Sequence, residues 1–170
     1  MPLPAGRTAA GNPLDATAVR RYDEHVTTDD DRAWLDDVAQ GRVARFGHRD
    51  HIRLACVALD ASGSLPEAVA SVSAVVEGLA ARAGVPQKYH RTVTEAWVRI
   101  IAHCRADAAA GGGTGTTGTT GRPGADDLVE RYPWLLDKRL LTGHYTSSVL
   151  ASAPARSGWV PPDLLPVPEP

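Results

Sequence analysis

Ser64-Leu65-Pro66-Glu67-Ala68-Val69-Ala70-Ser71-Val72-Ser73-Ala74-Val75-Val76-Glu77-Gly78-Leu79-Ala80-Ala81-Arg82 decides the fold class of this chain. Serine caps the first turn, and glutamate three residues on reaches back to the cap amide. Behind that capping box, Leu65, Ala68, Val69, Val72, Val75, Val76 and Leu79 recur at helical spacing as far as Gly84 and Pro86. Outward from this helix the same period returns. A helix is expected from Asp30 to Gln40, acidic in its first turn and stopped by Gly41, with Trp34, Leu35 and Val38 as its buried stripe. Another spans about Arg49 to Ala61, and a fourth His90 to Ala110. No β-alternation of useful length appears, so the expected fold is an all-α, single-domain bundle of about five main helices.

Around this frame the expected organisation is a loose Pro/Gly-rich tail over residues 1–17 and a helical domain over 18–165. The domain opens on a short helix near Ala18–His25. Residues 111–124 are Gly/Thr-rich and are expected to form a mobile loop. Their Gly113, Gly115 and Gly118 match a nucleotide-loop pattern by composition alone, because no strand precedes them. Helical pieces should follow at Ala125–Arg131, Trp134–Leu141 and Ser147–Ala151. Proline then imposes an extended segment from Trp159, which wraps the bundle and ends in a Pro-rich tail at 166–170.

The chain has 170 residues, 43% of them hydrophobic, with one Phe, four Trp and four Tyr, so small aliphatics should fill its core. A formal charge of −2 offers no basic field for nucleic acid or an anionic membrane. No apolar run has the length of a membrane span, and the first residues lack the pattern of a secretory signal. Cys56 and Cys104 form no metal-type pair and read as buried thiols of a cytoplasmic protein.

The chemistry is expected where histidines open two of the helices, in Phe46-Gly47-His48-Arg49-Asp50-His51 and in Lys88-Tyr89-His90-Arg91-Thr92-Val93-Thr94. Taking about 100° per residue, His48 and His51 neighbour the core-bearing face of one helix. His90 heads the stripe of Thr94, Trp97, Ile101 and Cys104 on the other, with His103 on its solvent side. If those stripes pack together, His48, His51 and His90 converge as candidate ligands of one transition metal ion, zinc, copper or iron. Tyr89, Asp50 and Thr94 stand near enough to orient a ring or bind substrate. Without metal, His48 or His90 would serve as general base. Two features oppose this geometry: Thr92-Val93-Thr94-Glu95 is itself a capping box, and Asp50 can cap the earlier helix, either of which displaces a histidine from its helix. Arg53 or Arg91 could grip a carboxylate beside the trio.

Phe46-x-His48-x-Asp50-His51-x-Arg53-Leu54-Ala55, Tyr89-His90-x-Thr92-x-Thr94 and the run from Tyr145 to Asp163 resemble a family of small bacterial proteins. Its usual motifs are F-x-H-x-D-H-L-R-L-A and K-Y-H-E-T-I-T. The likeness covers roughly residues 43–165, with the Gly/Thr loop as an insertion, and implies no particular reaction. Arg91 stands where that family usually has glutamate.

The expectation is a small cytoplasmic enzyme acting on a small molecule, of the kind used in bacterial specialised metabolism. Catalytic candidates are His48, His90, Tyr89, Asp50 and Thr94; metal candidates are His48, His51 and His90. The competing reading is a non-catalytic helical module that binds a ligand or partner, its histidines acting as internal hydrogen-bonders.

Overall fold

A computed structural model describes residues 28–111 and 122–168. The expected tail at 1–17, the helix near residue 20 and most of the Gly/Thr loop lie outside these residues. Among the described residues the chain is all-helical and contains no strand. No helix there is long and apolar enough to cross a membrane.

Helix α1 (Asp29–Ala39) starts where the Thr28 hydroxyl accepts the Asp31 amide, and Gly41 turns the chain away with φ of +69°. Helix α2 (His48–Ala61) starts one residue earlier than expected, because the Asp50 carboxylate reaches back to accept the Gly47 amide at 2.7 Å. Helix α3 (Leu65–Arg82) has the expected Ser64 cap. Helix α4 (Arg91–Ala110) starts one residue later than expected, with His90 outside it.

Helices α2, α3 and α4 pack against one another in pairs. Ile52, Leu54, Val72, Val75, Ile100 and Ile101 are buried between them. Each such side chain contributes about 1.5–3 kcal/mol on leaving water. A buried ion pair adds direction to this apolar contact: Arg105 on α4 donates to Asp60 at 2.6 Å and to the Cys56 carbonyl at 2.8 Å, both on α2. Burial pushes the Cys56 thiol up to about 12 and Cys104 to about 11, so neither is a ready nucleophile.

Beyond α4 the chain is shorter-grained. Helix α5 (Ala125–Arg131) ends before Pro133 as its sequence requires. The expected helical pieces over 134–141 are two 3-10 turns, Pro133–Leu136 and Leu140–Gly143. Between them the Asp137 carboxylate accepts the Arg139 amide, a local bond that competes with helix formation. Helix α6 (Ser147–Ala151) is as expected. Helix α7 (Ala153–Ser157) was not; Ser152 caps it and Pro154 lies in its first turn, where proline is tolerated.

The segment from Trp159 is extended and wraps the bundle, as its prolines imply. Tyr145 donates to the Val160 carbonyl at 3.1 Å. Farther along, Asp163 accepts from both the amide and the hydroxyl of Thr146, and Val167 is buried.

Candidate functional site: a cavity at the start of α2

The two histidine motifs have different fates. In the second, His90 is the N-cap of α4: its Nδ1 accepts the Val93 amide at 3.3 Å. Its Nε2 must then carry the proton, and it donates to the Leu150 carbonyl at 2.8 Å. Both ring nitrogens are thereby engaged with backbone. Two residues on, Thr92 is fully buried; its hydroxyl donates to the Gly158 carbonyl at 2.7 Å and accepts the Val160 amide at 3.1 Å. Tyr89 lies beside Pro86 and Arg156, on a different depression. This motif fastens the C-terminal segment to α4.

The first motif opens onto space. A cavity of about 370 Å³ has Phe46, His48, His51, Thr94, Trp97 and Lys138 on its lining. Ala55, Val72, Val93 and Val98 complete an apolar interior. The aromatic rings contact the imidazoles edge-on: Phe46 and His51 are 4.8 Å apart at 84°, and His48 and Trp97 4.6 Å apart at 68°. His48 is held by its Nε2, which donates to the Leu135 carbonyl at 2.8 Å and leaves Nδ1 as an acceptor. His51 and Thr94 are half-buried, and neither side chain makes a hydrogen bond among the described residues.

Burial lowers the His51 pKa to about 4, with the neighbouring His48 and Lys138 pressing the same way and Asp50 opposing them. At neutral pH this imidazole is therefore uncharged, with one donor and one acceptor nitrogen facing a largely apolar space.

The three histidines expected to share a metal are thus divided. His48 and His51 share the cavity, while His90 has neither a free nitrogen nor a place in it. Among the described residues no group of three or more His, Cys, Asp or Glu is arranged to hold a metal ion. The extrapolation from His90 failed because an N-cap residue has extended, not helical, backbone, so the 100° rule does not reach it. Asp50 is likewise occupied as a cap, and of the remaining candidates only Thr94 joins the histidines. His103 is half-buried, not solvent-facing.

Neither arginine grips the cavity. Arg53 pairs with Asp30 and Asp31 and lies over Trp34, whereas Arg91 pairs with the buried Glu95 at 3.5 Å. Lys138 escaped the sequence reading because it lies between the two 3-10 turns, far along the chain from both motifs, and no local pattern marks it. Trp97 was legible as part of the α4 stripe, and Phe46 as the aromatic opening its motif.

A second cavity, of about 470 Å³, has Asp30, Asp31, Arg53 and Asp60 on its lining. Its charges satisfy one another, Arg53 with the first two and Asp60 with Arg105. In the histidine cavity, by contrast, the side chains of His51, Thr94 and Lys138 are left to a ligand. No protein-family model, curated protein or solved structure matches this chain.

Proposed function

We propose that the protein is a small cytoplasmic enzyme that binds a small molecule in the cavity at the start of α2 and uses His51 as its proton acceptor. The observation that carries this reading is an uncharged imidazole with no hydrogen-bond partner among the described residues, on the lining of a cavity of about 370 Å³. Half-enclosed, mostly apolar cavities with a few convergent polar groups are where small molecules bind. A base depressed to about 4 is deprotonated throughout the physiological range but weakly basic, so it takes a proton only where the bound substrate's own charge stabilises the imidazolium. His48, locked by Leu135, packs against Trp97 on the cavity lining. The two free, buried cysteines agree with a reducing compartment.

A second reading, a non-catalytic binding module, draws on His48 and His90, whose rings bond to backbone as structural histidines do. A fragment mixture followed by NMR in D2O separates the two. Hits should shift the His51 and Trp97 ring signals and disappear in Ala55→Phe, which fills the cavity. Catalysis adds protein-dependent exchange of a carbon-bound proton in a bound hit, absent in His51→Gln. Hits without exchange favour the binding module, and no hit at this cavity overturns both.

A further inference from the structure

We propose that the ligand of this cavity is a small hydroxylated aromatic carboxylate. The inference rests on the cavity being the functional site and goes further, to the ligand's chemistry.

The lining specifies three features. The first is charge. Among the described residues Lys138 is the one Lys or Arg on the lining, and no carboxylate shares the cavity with it. The Asp50 carboxylate accepts the Gly47 amide, and that of Asp137 accepts the Arg139 amide. Lys138 forms no ion pair among the described residues, so its ammonium is available to a ligand anion.

The second is shape. Phe46 and Trp97, with Ala55, Val72 and Val98, provide a surface suited to a flat apolar body. The volume accommodates a single ring with a short side chain.

The third is hydrogen-bond polarity. Thr94 offers a hydroxyl, and the neutral His51 ring offers one N–H and one bare nitrogen. The His48 Nδ1 is also a bare acceptor, because its Nε2 proton is committed to Leu135. A purely anionic ligand would satisfy the donors and leave the acceptors unpaired; a ligand O–H satisfies them as well. Burying a polar group without a partner is costly, so the site discriminates against molecules that lack either feature.

Three probes test the three features on the full chain by calorimetry, with ring-proton NMR locating the contact: para-hydroxyphenylpropionate, phenylpropionate and para-hydroxyphenylpropanamide. The first should bind best. Losing the hydroxyl or the charge should weaken binding about tenfold each. Lys138→Met, at an exposed position that leaves the core intact, should remove the preference for carboxylate over amide, and Thr94→Val should weaken all three probes alike. Equal affinity for acid and amide, unchanged in Lys138→Met, overturns the proposed ligand class while the cavity remains the binding site. If no probe shifts the His51 or Trp97 signals even at millimolar concentration, whereas unrelated fragments do, the class is wrong and the site stands. If nothing at all shifts them, both fall.

Discussion

The starts of α2 and α4 carry similar sequences and do opposite work. At α4, His90 and Thr92 commit every polar atom of their side chains to backbone groups of α4 itself and of the C-terminal segment, and nothing is left over for a ligand. At α2 the N-cap is Gly47, whose amide Asp50 accepts from within the helix, and His51, a full turn inside, keeps an unbonded ring on a cavity. A histidine at a helix start is therefore not one feature but two. Which it becomes depends on whether the histidine stands at the cap itself or inside the first turn.

The largest effect that would break or sharpen this contrast is on stability. His90→Ala should cost about 3 kcal/mol, through a lost cap and an unpaired Leu150 carbonyl, and Thr92→Ala a similar amount. His51→Ala should cost less than about 1 kcal/mol at pH 7, having no hydrogen bond to lose. Urea unfolding of the three variants decides it. If His51→Ala is the most damaging, the assignment of roles is reversed.

The next effect is pH dependence. The folded pKa of His51 lies near 4, below the usual 6.5, so the unfolded chain binds the proton more readily. Its contribution to stability is present in full above pH 6.5 and is lost as pH falls through about 4, amounting to about 3 kcal/mol over that window. His51→Phe should flatten this part of the stability–pH curve while the acidic residues keep theirs. An unchanged slope between pH 6.5 and 4 in that variant means that His51 is solvated and normal, and the cavity is then not the apolar site described.

The smallest effect is on metal binding. With both His90 nitrogens engaged, zinc should bind at well below one equivalent per chain, and His48→Ala or His90→Ala should leave that value unchanged. Tight, stoichiometric binding abolished by either substitution would reunite the two motifs and end the distinction between them.

Periodicity along the chain was enough for the frame. Ser64 and Glu67, the valines behind them and Gly84 mark α3 almost to the residue, because a cap and a 3.6-residue stripe are local physics. The acidic first turn of α1 and the proline after α5 were legible for the same reason. Short elements were less so: the 134–141 segment has helical composition, yet it forms two 3-10 turns with the Asp137 side-chain bond between them. In the site, His48, His51 and Thr94 were legible because two helix faces had to meet. The fates of His90 and Lys138 were not.

What the sequence by itself determined is the all-α class, the helices from α1 to α6 to within a residue or two, and the placement of histidines at two helix starts. Those are properties of neighbours in the chain, set by caps, apolar spacing and proline. Only the tertiary structure decided which histidine would be consumed and which left open. The partners that settle it, Leu135 for His48, Leu150 for His90 and Lys138 beside His51, are remote in sequence, and backbone carbonyls carry no signature in the residue types. A side chain's function here follows from whether a distant carbonyl reaches it first.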